Sequence, residues 1–202
     1  MSETEIVYVQ GRRVWDSRGR PTVEAEVILE GGGVGRAIAP AGASTGSGEA
    51  LDLRDGGSAF GGYDVKRAVE HVNEAIGDVV VGMDGADQEA VDRAMIKLDG
   101  TPNKSRLGAN AILAVSMATA HAAAAAAGKP LYRHLGGEEA DLLPLPQIQI
   151  FGGGAHAGRR VDIQDFLIVC PAAESFAQAL DWTAEVYRAA GELMKEAGTL
   201  HG

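Results

Sequence analysis

The chain has 202 residues, of which 46% are hydrophobic and 23% charged, a composition that excludes wholesale disorder. Its 18 Lys and Arg against 28 Asp and Glu give a net charge of −10, which argues against a nucleic-acid or anionic-membrane partner. The single Cys170 excludes an internal disulfide framework and a cysteine-based zinc site. With no export leader or long apolar stretch recognised, the expected location is cytoplasmic.

The N-terminal part predicts strands joined by turns. Ile6–Val9 is a short β-branched and aromatic run. Thr22–Leu29 alternates apolar and polar residues, which predicts a half-buried strand with one solvent-facing side. After three glycines, Val34–Ala39 reads as the returning strand. The Gly-rich segment Pro40–Gly46 that follows is expected to be a loop.

Three helices are predicted next. A stripe of apolar residues beginning near Asp64 indicates a helix that ends at Gly77. A second stripe stops at Asp99-Gly100. Gly108–Ala127, with six consecutive alanines, reads as a buried helix because alanine favours helix and permits close packing. Acidic residues around the second helix indicate a solvated face rather than a metal cage: Asp84, Asp87, Asp92 and Asp99.

The sequence pattern changes near Leu142, which places a domain boundary at about residue 140 and gives domains 1–140 and 141–202. Strands are predicted at Gln147–Phe151 and Phe166–Val169, followed by a long helix after Pro171. The expected apolar side of that helix comprises Phe176, Leu180, Ala184, Tyr187 and Met194. Two strands and one helix cannot close a sheet or cover its faces, so the second domain is expected to be incomplete.

Three segments contain residue types that can take part in catalysis or in ligand binding. The loop Ala41–Gly46 offers backbone N–H groups and hydroxyls to an anion or a metal, or is a plain surface loop. His156 stands in a glycine-rich turn just after a strand, where catalytic groups often sit, or is a structural histidine. Gln164 and Asp165 precede an apolar run, so the Asp165 carboxylate either lies near His156 or is a solvated turn residue.

A series of short motifs in fixed order allows a more specific interpretation. Together these motifs resemble the enolase family over residues 6 to 195. The motifs are Asp16-Ser-Arg-Gly19, Pro21-Thr-Val-Glu24, Gly42-Ala-Ser-Thr-Gly46, Glu49-Ala50, Leu53-Arg-Asp55, Leu98-Asp-Gly-Thr101, Asn103-Lys-Ser105, Leu107-Gly-Ala-Asn-Ala-Ile112, Pro130-Leu-Tyr132 and His156-Ala-Gly158. The resemblance implies an α+β N-terminal domain, a three-stranded antiparallel sheet plus helices. It also implies the truncated start of an enolase-type α/β (TIM-like) barrel, because such barrels need about 250 residues.

The resemblance also implies roles for individual residues. Ser44 matches a loop serine that coordinates the catalytic Mg²⁺, and His156 matches a histidine that approaches the substrate phosphate. Gln164 matches a substrate-binding glutamine, and Asp165 stands where the family has a catalytic glutamate in the network around the leaving hydroxyl. Two further residues match structural and dimer-contact positions, respectively: Arg18 and Glu24.

The implied activity is a lyase that dehydrates 2-phosphoglycerate to phosphoenolpyruvate with Mg²⁺, working as a homodimer or higher homo-oligomer. Departures cluster at the site: Asp165 for glutamate, Gln149 for asparagine, Ala41 for serine and an altered turn around His156. They leave open a paralogue similar to carboxyphosphonoenolpyruvate synthase, acting on a related phosphorylated or phosphonate acid. A non-catalytic fragment acting in assembly is the third alternative. The 202 residues alone are expected to be inactive, because the family's proton-abstracting lysine has no counterpart here.

Overall fold

A computed structural model describes residues 2–39, 41–42 and 45–199 of the chain. The chain divides into two compact units, Met1–Ala140 and Asp141–Gly202. The described part of the first unit contains a sheet, five α-helices and a buried core, and that of the second contains a strand pair and one long helix.

Three strands of the first unit form an antiparallel sheet in the order β1 (Ile6–Trp15), β2 (Pro21–Leu29) and β3 (Val34–Ala39). This confirms the predicted sheet, although β1 runs six residues beyond the predicted end at Val9. The extension pairs with β2 down to the Trp15–Pro21 partners. Its only glycine, Gly11, packs against Val72, where a Cβ would lie 2.7 Å from the Val72 Cβ.

The prediction that β2 keeps one side in solvent is wrong. Glu24 is only 6% exposed, because β2 is the central strand and arginines from both neighbours cover its polar side. Arg12 Nε lies 2.6 Å from Glu24 Oε1, and Arg36 Nε lies 3.4 Å from Glu24 Oε2. Arg12 Nε makes this contact without hydrogen-bond geometry, whereas its Nη2 donates to Glu26 Oε2 at 2.8 Å. Opposite charges on adjacent strands thus allow carboxylates inside a mostly apolar sheet.

Helices pack against the sheet of the first unit. They are α1 (Lys66–His71), a π-helical turn (Val72–Ile76), α2 (Gly77–Val80), α3 (Gln88–Asp99), α4 (Ala109–Ala126) and α5 (Leu131–Gly136). The predicted helix end at Gly77 is wrong, because the chain continues in helical conformation to Val80. Val80 is fully buried, so one more turn extends the apolar stripe into the core. The predicted end of α3 at Asp99-Gly100 is confirmed.

The alanine-rich helix α4 is buried, as predicted, and contributes many residues to the core. It packs on β2 and β3, and Ala111, Ala114, Val115, Ala118 and Ala122 have no exposed surface. By length and composition α4 could also cross a membrane, a feature that the sequence reasoning did not recognise. Its window is 61% buried inside the unit, however, which is typical of the core helix of a globular domain.

Asp99 is buried, contrary to the prediction of a solvated acidic face, and is 2% exposed. Its Oδ2 accepts a hydrogen bond from Leu107 N–H at 2.7 Å, and its Oδ1 accepts from the backbone N–H and hydroxyl of Thr101. Burial would raise the pKa of Asp99, but these hydrogen bonds outweigh it and hold that pKa below the ordinary value of 3.8. The carboxylate therefore ties the end of α3 to the segment before α4.

Asp99→Asn should lower the free energy of unfolding of the protein by about 1–3 kcal/mol, because the amide nitrogen would face the Leu107 N–H as a second donor. The lowered pKa adds a pH signature. The stabilisation from ionised Asp99 is complete above the unfolded pKa near 3.8 and is lost as pH falls through the lower folded pKa. Urea unfolding across this pH range tests both, and Glu89→Gln on the same helix, 72% exposed, is the matched control. Equal stabilities for the two variants would contradict the prediction.

The second unit contains β4 (Gln147–Gly152), a 3-10 turn (Gly154–Ala157), β5 (Asp165–Val169) and α6 (Phe176–Glu196). The two strands pair antiparallel. The predicted apolar side of α6 is wrong in part: Phe176 and Leu180 are each 42% exposed, whereas Ala179 and Thr183 are buried. The buried side of α6 carries small side chains, which let the helix pack closely against the rest of the unit. Thr183 lies beside Cys170 of the same unit. Tyr187 is also 62% exposed, although Tyr187 and Met194 line a cavity of about 460 Å³ together with residues of β4.

Candidate active site

The candidate site lies where β4 ends and β5 begins. In the strand register Gly152 stands opposite Asp165, and the register shifts between Gln149 and Phe151. Such a bulge changes the direction of a strand and often lies next to a functional site. Beside this bulge, the side chain of Gln149 contacts Gln164 and Asp165 at the start of β5.

The Asp165 carboxylate is held by two side-chain amides. Gln149 Nε2 donates a short hydrogen bond to Asp165 Oδ1, and Gln164 Nε2 donates to Asp165 Oδ2 at 3.3 Å. Gln149 Nε2 also lies 3.4 Å from the Gln164 carbonyl oxygen. All three side chains are exposed in the described unit, so the carboxylate is oriented by its neighbours and remains open on its other side.

The glycine-rich turn between the strands packs against the same residues. Gly153 N–H donates to Gln164 O and Gly154 N–H donates to Val161 O, both at 2.7 Å. A Cβ on Gly153 would lie 1.8 Å from the Ile163 carbonyl oxygen, so only glycine permits this close approach. The turn that carries His156 is therefore fixed directly beside Gln164.

The predicted site residues divide into two groups. Gln164 and Asp165 lie together, and the backbone of His156 belongs to the adjoining 3-10 turn, although its side chain is not described. Ser44, the predicted magnesium ligand, lies outside the described residues. Arg18 forms an ion pair with Asp16 at 2.9 Å and donates to Ala41 O at the start of the loop, which agrees with a structural role.

Comparison with known families decides the classification. The model of the enolase N-terminal domain matches residues 6–135, and the model of the enolase C-terminal TIM barrel domain matches residues 140–201. The chain belongs to the enolase family. The three-stranded α+β domain is thereby confirmed as an enolase N-terminal domain, and β4, β5 and α6 form the part of the enolase barrel matched here. The family supports an enolase-type lyase function in general.

Gln149 contacts the candidate site in a way that the sequence did not reveal. The resemblance showed only that glutamine stands where enolases usually have asparagine. The structure adds that this longer amide holds the carboxylate of Asp165, which is itself shorter than the usual glutamate. The sequence therefore contained one signal: Gln149 is longer, and Asp165 shorter, than the residue usual in enolases. This pair of changes could be interpreted only after the structure showed the two side chains in contact.

A magnesium site does not follow from the described residues alone. Within residues 2–39, 41–42 and 45–199, no three His, Cys, Asp or Glu side chains come together as a metal site. Both Asp165 oxygens already accept from amides, and magnesium requires several oxygen ligands in octahedral geometry. No step of the chemistry is therefore assigned to a metal held by these residues.

Proposed function

We propose that this enolase-family protein is a magnesium-dependent lyase that dehydrates 2-phosphoglycerate to phosphoenolpyruvate. The observation that carries the proposal is the hydrogen-bonded cluster of Gln149, Gln164 and Asp165, fixed beside the turn of His156. Enolases have polar groups for the substrate phosphate and for the leaving hydroxyl at these positions. The magnesium requirement rests on the family alone.

In the proposed reaction, a proton leaves the carbon beside the carboxylate and hydroxide leaves the next carbon, so that the products are the enol phosphate and water. Asp165 belongs to the network around the leaving hydroxyl, where a carboxyl group supplies or holds the proton that accompanies its departure. Gln149 and Gln164 orient that carboxyl group. His156 is assigned to the phosphate. None of the described residues is assigned to removal of the carbon-bound proton.

The test is a steady-state assay with 2-phosphoglycerate on the full-length protein purified from its natural source. The ultraviolet absorbance of the enol product measures the rate. We expect turnover that is abolished by a chelator and restored by Mg²⁺. Absence of turnover under saturating Mg²⁺ would contradict the proposal. Turnover of a phosphonate acid in its place would support the second candidate, a carboxyphosphonoenolpyruvate synthase-like activity, which the altered Gln149 and Asp165 pair favours.

Ser44→Ala should lower the turnover of the full-length protein by about one to three orders of magnitude, the range for loss of one preorganised site group. The expectation rests on the family role of this serine oxygen as a magnesium ligand. Folding should be unchanged, since a surface-loop substitution alters stability by only about 0.5 kcal/mol. Thr45→Ala, one residue further along the loop, is the matched control. Normal turnover in a folded Ser44→Ala protein would remove Ser44 from the site.

We also propose a homodimer or higher homo-oligomer in the cytoplasm, without nucleic acid or membrane as partner. The support is the family resemblance together with the acidic composition. Glu24, the expected dimer contact, is engaged by Arg12 and Arg36 within its own chain. Replacing it would disturb the sheet as well as any interface, so light scattering of the unmodified protein is the cleaner measurement.

A further inference from the structure

Three aromatic side chains of the first unit are exposed around the end of β1. Trp15 ends β1, and Phe60 and Tyr63 belong to the glycine-rich segment that precedes α1. Their exposed fractions are 55%, 46% and 40%. We call these three residues, together with Arg13 and Arg20 that lie over their rings, the aromatic patch. None of the five residues belongs to the enolase motifs or to the candidate active site.

Arg13 holds two of the rings in place. Trp15 and Phe60 meet edge to face with ring centroids 6.5 Å apart, and the guanidinium carbon of Arg13 lies 5.3 and 5.0 Å from those centroids. Arg13 Nη1 also donates to both carboxylate oxygens of Asp64, at 2.9 and 3.0 Å. Asp64 is 2% exposed, so a buried carboxylate balances the charge of Arg13. A partner can therefore cover the rings without leaving this charge unpaired, which would be costly.

Phe60 stands in a backbone conformation that favours glycine. Its φ is +48°, in the left-handed region, and glycines occupy positions 56, 57, 61 and 62 around it. Burial within the first unit covers only about half of its ring. Neither the backbone nor the core of the unit thus accounts for a phenylalanine here. A strained position that presents a large aromatic side chain to solvent points to a contact outside the unit.

We propose that the aromatic patch binds a second copy of this chain. The inference rests on the homo-oligomer proposed above and names its contact surface. Residues 11–24 contain four arginines against one aspartate and one glutamate, a net charge of +2. The whole chain has a charge of −10, so the other residues together carry −12. The patch is therefore attracted to an acidic surface of a second copy, whereas two acidic surfaces repel each other.

The composition of the patch fits a protein partner. Trp, Tyr and Arg are the residues that most often dominate the free energy of protein–protein binding. In a two-fold dimer each copy presents its patch to the other, so the same contact occurs twice. Single-stranded nucleic acid also stacks on aromatic rings, but a chain of charge −10 repels it.

The experiment compares the dissociation constants of the full-length protein and of Phe60→Gly by analytical ultracentrifugation. The substitution removes the ring, and glycine favours the φ of +48°, so circular dichroism should show an unchanged fold. We expect the dissociation constant to rise about thirtyfold or more, the effect of truncating a residue that dominates an interface. Tyr132→Ala is the matched control, because Tyr132 on α5 is as exposed as Trp15, at 55%, and lies outside the patch.

Arg20→Glu tests the charge of the patch. It should also raise the dissociation constant, and high salt should weaken the parent dimer because it screens the attraction. Arg93→Glu on α3, which replaces a 76% exposed arginine outside the patch, should have little effect.

A folded Phe60→Gly protein with an unchanged dissociation constant would overturn the proposal and give the homo-oligomer a different interface. Equal weakening in Phe60→Gly and Tyr132→Ala would overturn it as well. A parent protein that stays monomeric at every concentration would overturn the homo-oligomer together with this surface. The lyase activity is measured in a separate assay, so its presence or absence does not decide any of these results.

Discussion

Gly35→Ala should destabilise the first unit by about 3 kcal/mol or more, the upper end of the cost of overpacking, because the new methyl group meets backbone. A Cβ at this position would lie 2.0 Å from the Ala118 carbonyl oxygen and 2.3 Å from the Ala122 nitrogen. Neither atom can turn aside as the end of a flexible side chain would. The methyl group can enter only if β3 and α4 separate, and that contact is the centre of the core.

Gly48→Ala is the matched control, since no atom lies within 4 Å of a Cβ at that position. Chemical denaturation of the two variants should show a large loss for Gly35→Ala and almost none for Gly48→Ala. The loss is a substantial share of the roughly 5–15 kcal/mol that stabilises a typical domain. A Gly35→Ala protein as stable as the parent would show that β3 and α4 are not packed as described.

The same contact explains why helix α4 could be predicted so well. A run of alanines is a strong helix former, and an approach this close to a strand accepts only small side chains. Local preference and tertiary packing therefore favour the same structure, and the predicted ends differ from the observed ones by a single residue. The membrane-length character of α4 follows from the same alanines, and its burial separates the two interpretations.

The predictions that failed depended on distant neighbours. Whether the polar side of β2 meets solvent depends on Arg12 and Arg36, which come from the strands on either side. The helix passes Gly77 because Val80 reaches the core, and the gain from burial outweighs the low helix preference of glycine. The sequence predicts that Asp99 is an exposed acidic residue. Its burial becomes clear only from the folded chain, in which the backbone N–H groups of Leu107 and Thr101 donate to its carboxylate.

The motifs predict Gln164, Asp165 and His156 as site residues, and these roles stay predictions. The structure adds contacts that the motifs could not show, such as the hydrogen bond between Gln164 and Asp165. The contact between Gln149 and Asp165 lies beside an irregularity in the pairing of β4 and β5, which no periodicity of the sequence reveals.

Asp165→Ala should lower the kcat of the full-length protein by about 10²–10⁴-fold, the usual effect of removing a positioned acid–base group. Gln149 and Gln164 would lose the carboxylate that they orient, but these side chains are exposed, so the fold should be retained. Circular dichroism checks folding, and the steady-state assay separates kcat from KM. Unchanged kcat in a folded Asp165→Ala protein would remove the carboxylate from the reaction.

A double-mutant cycle tests whether Gln149 and Asp165 act as one unit. Asp165→Glu moves the carboxylate by roughly 1.5 Å, a displacement that costs about a hundredfold in rate. Gln149→Asn withdraws the amide by a similar distance and should lower kcat through the same hydrogen bond. The double variant restores the spacing with the residues usual in enolases, so it should recover most of the lost rate. Additive losses would show that the two side chains contribute independently, because residues in one network are coupled and independent ones are not.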